Sequence, residues 1–147
     1  MISLWFILSL THLIGLGLGV GAATVKLVLL IRCNSNYEFV QVFLKVSRTI
    51  TRIIATGLIL LTLSGIGWIL MGTYFTTIFI IKLFLVGAVW VVGPVIDNVI
   101  EPKFKKLAPA PAEQATPEFI RIQKQYLLLE LLATTLFYVI IILGVLL

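Results

Sequence analysis

The chain has 147 residues, 61% of them hydrophobic, with 11 Lys and Arg against 6 Asp and Glu for a net charge of +5. Water-soluble domains carry about 45–50% apolar residues, so this composition excludes a soluble globular enzyme and points to an integral membrane protein. The basic surplus then suits anionic lipid headgroups at the inner face, not nucleic acid.

Four stretches approach the roughly 20 apolar residues that cross ~30 Å of hydrocarbon: residues 3–31, 53–71, 74–100 and 126–147. The expected fold is all-α, a single integral membrane four-helix bundle over residues 1–147. Span one holds the only histidine, His12, then Gly15, Gly17, Gly19 and Gly21, and then Lys26. The glycines form two small-xxx-small pairs, 15/19 and 17/21, a spacing that lets a second helix or a flat ligand approach the backbone. Gly21-Ala22-Ala23 resembles a signal-peptide cleavage site. No basic segment precedes it and the apolar run is too long, so the stretch reads as a membrane span. Cys33 closes it as the lone cysteine, so no disulfide can form within the chain.

Between spans one and two, Phe39, Val42, Phe43, Val46 and Ile50 recur at three- and four-residue steps among Glu38, Gln41, Lys45, Arg48 and Arg52. This is the pattern of an amphipathic helix that lies on a membrane surface or packs on the protein, and it runs into span two. The short turn Met71-Gly72-Thr73 predicts that spans two and three are antiparallel neighbours. Span three carries Lys82, a kink-prone Gly93-Pro94, and Asp97. Residues 101–117, with the Pro/Ala run from Ala108 to Pro117, read as an extended linker. Thr116 caps a new helix with Pro117 at its first position, and this helix enters span four and carries Glu130.

Basic residues set the orientation. Arg32, Lys45, Arg48 and Arg52 fall in the first connection, and Lys103, Lys105, Lys106, Arg121 and Lys124 in the second, whereas Met1 to Ser3, the 71–77 turn and the last residues have none. By the positive-inside rule both connections are cytoplasmic and both termini are outside.

An ionisable residue inside a span is costly and marks a functional site by default. His12 and Lys82 lie at matched depth, roughly 12–14 Å below the outer boundary at 1.5 Å per residue. Lys26 and Asp97 match one another farther in, with Glu130 placed to join them. At 100° per residue His12, Gly15, Gly19, Ala23 and Lys26 share one face of span one, and Lys82, Val86, Gly93 and Asp97 share a face of span three. If those faces meet, the bundle has an outer His/Lys site and an inner Lys/Asp pair. The inner pair reads first as a salt bridge that locks two helices. The outer pair has no carboxylate at its depth, and a ligand that carries carboxylates would supply one. A neutral imidazole in a helical bundle is a standard axial ligand for haem iron. His12 is therefore the candidate metal ligand, Gly15 and Gly19 would leave room for the macrocycle, and Lys82 would pair with a propionate or relay a proton. A plain hydrogen bond from His12 to Thr11 or Ser64 is the competing reading.

Two stretches carry a family resemblance: Trp5-Phe6-Ile7-Leu8-Ser9-Leu10-Thr11-His12-Leu13-Ile14-Gly15 and Phe79-Ile80-Ile81-Lys82-Leu83-Phe84-Leu85-Val86. With Gly57 and Ser64-Gly65 in the 52–67 stretch, the chain resembles the superfamily of small bacterial membrane proteins that includes HemJ-type protoporphyrinogen oxidases and the membrane domain of CopD copper-resistance proteins. The resemblance implies a multi-pass protein of the bacterial inner (cell) membrane, with a haem b site at His12 and Lys82 used in electron transfer or oxidation. The chain lacks the further histidines of HemJ-type proteins, and Met1, Met71 and Cys33 are too scattered for a copper path. A second functional class stays open: a non-enzymatic membrane subunit or assembly partner that packs on another membrane protein, or on a second copy, through its glycine-rich first helix.

Overall fold

The computed structural model describes residues 3–72 and 75–146. Helix α1 (Leu4–Ser35) and helix α2 (Glu38–Leu70) form a long hairpin, followed by α3 (Thr77–Val95), a π-helical turn (Ile96–Ile100), the short α4 (Glu101–Leu107) and α5 (Pro117–Val145). The first expected span is extended to Ser35, and α2 is continuous from the amphipathic connection into span two. Tyr74, where span three was expected to begin, lies outside the described residues, as do Thr73 of the turn, the terminal Met1 and the span-four end at Leu147.

Four helical rods, Leu4–Ser35, Glu38–Leu70, Thr77–Leu107 and Pro117–Val145, are long and apolar enough to cross a membrane. Leu13, Leu63, Phe84, Leu128 and Ile142 are among many large apolar side chains left exposed. Such an apolar exterior is what a lipid solvent requires, since every backbone polar group is satisfied inside its own helix. The shortest rod has 29 residues, about 43 Å at 1.5 Å per residue, so the rods outreach the hydrocarbon.

At the end that bears Arg32, Arg48, Lys105 and Arg121, the rods pack around an aromatic core. Phe104 packs on Phe119 with tilted rings at 5.1 Å and meets Tyr126 edge-on at 5.3 Å, and Phe43 meets both Phe104 and Tyr126 edge-on at 5.9 Å. The first part of α2 therefore packs on protein. Its buried residues are Val40, Phe43 and Ser47, while Val42 and Val46 of the expected apolar face are exposed.

The second connection differs from expectation at its start. Residues 101–107, assigned to the linker, are helical, and the stretch after Leu107 is non-helical, with a turn closed by Glu113 N donating to the Ala110 carbonyl at 3.0 Å. Pro94 lies inside α3, and Asn98 Nδ2 donates to its carbonyl at 2.9 Å. The π turn follows it and precedes Pro102, which lacks an N–H and whose ring crowds the carbonyl four residues back, within that turn. The cap is as expected: Thr116 Oγ1 accepts from Phe119 N at 3.2 Å.

The expected neighbour relations are rearranged. α1 packs closely on α2 and on α5, and α5 packs on α3, whereas the consecutive α2 and α3 have little close backbone contact. The tight α1–α2 contact comes from three glycines. A Cβ at Gly57 would collide with the backbone of Gly19, and one at Gly15 would come within 3.0 Å of the Gly57 carbonyl and of Leu61. Gly17 and Gly21 face open space. Gly57→Ala should therefore force the hairpin apart and cost about 1–3 kcal/mol, while Gly21→Ala should be neutral or stabilising by up to about 1 kcal/mol. Unfolding of the two purified variants in detergent checks the contrast, and equal stabilities would remove the glycine contact as the hairpin's constraint.

Candidate functional site

His12, on α1, lies a few turns from the non-basic end of the bundle. Its Nδ1 is 2.9 Å from Ser64 Oγ on α2, and its ring sits 4.7 Å from that of Trp68. The serine hydroxyl has a single hydrogen, and it donates that to the Leu61 carbonyl at 3.0 Å. When the hydroxyl hydrogen goes to Leu61, Ser64 Oγ accepts from Nδ1–H and the lone pair of the neutral imidazole sits on Nε2, the tautomer that a metal-ligating histidine adopts when its other nitrogen is held by a neighbour.

Lys82 reaches the same place from α3. It and His12 both line a cavity of about 330 Å³ whose walls include Leu16, Leu61, Phe79 and Phe137. The Lys82 ammonium rests against Gly144 of α5, where a Cβ would lie 3.1 Å from Nζ. Ile66, Leu83 and Val145 border the cavity and are themselves exposed, so it opens on the outer surface of the bundle. The matched depth of His12 and Lys82 thus brings them to one chamber, although α1 and α3 do not face each other directly. Gly15 and Gly19 are absent from its walls. The space beside them is filled by Gly57 and Leu61, so both glycines serve helix packing and leave no room there for a macrocycle.

The inner group is far more developed than a single ion pair. Lys26 is 1% exposed, and its Nζ lies 2.8 Å from Thr51 Oγ1, 3.3 Å from Asp97 Oδ1, 3.2 Å from Glu101 Oε2 and 3.7 Å from Glu130 Oε2. Three of the chain's six acidic residues therefore converge on one ammonium. Ser47 Oγ and the Tyr126 hydroxyl both donate to Glu101, at 2.9 and 2.8 Å, and the Tyr126 ring lies 5.5 Å from Nζ. α1, α2, the π turn, α4 and α5 all contribute. The expected Lys26–Asp97 pair and the nearby Glu130 are present. Glu101, read as the first linker residue, and the hydroxyls of Ser47, Thr51 and Tyr126 were missed.

A second cavity of about 110 Å³ adjoins this cluster, lined by Lys26, Thr51, Asp97 and Glu130, and it shares Leu58 and Phe137 with the first. Among the described residues no group of three or more His, Cys, Asp or Glu side chains is arranged to hold a metal ion. Cys33 is fully buried in the core at the basic end. Comparison with protein-family models, curated proteins and solved structures finds no match to this chain.

Removing the cation would leave buried carboxylates facing one another. Breaking a buried pair costs about 3–5 kcal/mol, so Lys26→Ala should destabilise the bundle by that order. Denaturation of the purified variant measures it, and a loss under about 1 kcal/mol, the worth of an exposed pair, would show that the cluster is solvated.

Proposed function

We propose that this chain binds haem b or a related porphyrin in the cavity between His12 and Lys82, near the outer leaflet of a bacterial inner membrane, and acts in electron transfer or oxidation. The observation that carries the reading is His12, held through Nδ1 by Ser64, beside Lys82 in one apolar chamber. His12 Nε2 offers one axial donor, and Lys82 offers a cation to a propionate in a region with no protein carboxylate nearby. The chamber's volume lies at the lower end of the roughly 300–1,000 Å³ typical of small-molecule sites, and its exposed rim lets a flat ligand extend beyond it. When bound, the haem iron supplies one-electron chemistry; the protein's part is to ligate, orient and exclude water. His12 is the chain's only histidine, so any further ligand to the iron would come from another side chain or another molecule.

Absorption spectroscopy of protein purified after expression with ample haem tests this directly, and a Soret band is expected. His12→Ala should abolish it, and Ser64→Ala should weaken haem affinity by about 10–100-fold, the usual effect of losing a partner that orients a ligand. Protein without a Soret band, or a band indifferent to His12→Ala, would refute the assignment.

A non-enzymatic subunit is the second reading, favoured by one observation: Gly17 and Gly21 have no atoms near them and lie on an exposed apolar face of α1. On that reading Gly17→Leu and Gly21→Leu abolish co-purification with a membrane partner or a second copy, while His12→Ala does not.

A further inference from the structure

We propose that the Lys26–Asp97–Glu101–Glu130 cluster is a proton-binding site, with Glu130 as the group that takes up and releases one exchangeable proton and Asp97 as its access route. The inference concerns a different site from the haem reading and does not rest on it.

One ammonium has three hydrogens. Thr51, Asp97 and Glu101 lie within 3.3 Å of Nζ, and Glu130 stands outside that set at 3.7 Å. The three carboxylates are unequal in what stabilises their charge. Glu101 has Lys26 and two hydroxyl donors, Ser47 and Tyr126. Asp97 has Lys26, a long contact from Thr51 at 3.5 Å, and a side chain that is 34% exposed. Glu130 is 4% exposed, and its Oε2 has no hydrogen-bond partner.

With all groups ionised, the cluster would hold three negative charges against one positive in a low-dielectric interior. Like charges so close together cannot all persist, and the carboxylate with the fewest donors and the least water is the one that takes the proton. The groups that face Glu130 are Lys26 from α1, Thr51 from α2, Asp97 from the π turn, Glu101 from α4, and Tyr126 on its own helix. None but Lys26 favours its charge. One turn along α5, Thr134 Oγ1 is likewise buried without a partner. The small cavity connects the pair. Glu130 and Asp97 both line it, and Asp97 is the member that reaches the surface of the bundle. In the uptake step a hydronium ion at the Asp97 end breaks one O–H bond to protonate Asp97 and leaves as water; the Asp97 O–H bond then breaks as an O–H bond forms on Glu130, so Asp97 returns to minus one and Glu130 rises from minus one to zero, and release reverses both transfers. The π turn that sets Asp97 is a distortion often found at functional sites.

Infrared difference spectroscopy of the full chain in lipid vesicles, titrated from alkaline to acidic pH, reads the carboxylic C=O stretch directly. The wild type should gain a carboxylic band on acidification, shifted in D2O. Glu130→Gln should lose most of that band. Glu130→Asp keeps a carboxyl group one methylene shorter and should move the band, which covers the case in which the amide variant does not fold. Asp97→Asn should slow deuterium exchange of the band. A wild type with no titrating carboxylic band, or a band unmoved in both Glu130 variants, overturns the site; exchange unaffected by Asp97→Asn overturns the access route.

Discussion

The bundle is organised around the cost of keeping one lysine away from water. A lysine in a membrane span usually extends its flexible stem toward the headgroups. Lys26 does not, because its helix is pinned to α2 by the Gly15, Gly19 and Gly57 contact and its ammonium points into the interior. The charge is tolerable only because carboxylates come to it, from the π turn, α4 and α5. Each of those elements is positioned in turn: the π turn lies just before Pro102, α4 is held by Phe104 in the aromatic core, and α5 starts at its Thr116 cap. A buried ion pair contributes little net stability, but leaving either partner alone is costly. The cluster therefore selects one packing arrangement of these helices over others that lipid would tolerate equally well.

Packing also explains why there are cavities at all. In lipid, tail contacts are as apolar as leucine contacts, and helices associate closely where small residues allow it. Between α1 and α2 three glycines do so. The α2–α3 side has Trp90 and Thr62 facing across it, joined by a 3.1 Å hydrogen bond, and Gly65 and Gly93 line the chambers there with open space beside them. The helices stay apart there, and the two chambers occupy the gap, end to end, with Leu58 and Phe137 shared between them.

Hydropathy and depth arithmetic were strong guides here, and local side-chain chemistry less so. Four spans, the Thr116 cap, the convergence of His12 with Lys82 and that of Lys26 with Asp97 all follow from helix rise and apolar run length. The competing reading of His12 gives it a plain hydrogen bond to Thr11 or Ser64, and the structure makes the one to Ser64. The role of Gly15 and Gly19 was not legible, because a small-xxx-small pair specifies close approach without saying whether a helix or a ligand approaches; Gly57, forty residues away, answers that. Glu101 was hidden by Pro102 and the basic run after it, which resemble a linker, whereas a π turn lets the helix continue to Leu107. The amphipathic pattern from Phe39 to Ile50 marked a helix correctly but not its buried side, since Ser47 is buried through its hydrogen bond to Glu101 while Val42 and Val46 face outward.

The two chambers are opposite in electrical character. The outer one contains a lysine and a histidine, and the ion pairs found among the described residues all lie elsewhere, at Lys26. The inner one gathers three carboxylates around one ammonium. Leu58 and Phe137, which line both chambers, offer neither a hydrogen bond nor solvation to an ion between them. An apolar wall does not screen the fields on its two sides, but a charged or hydrated group would have to shed its partners to cross it, so the wall keeps the two sets of polar side chains chemically apart.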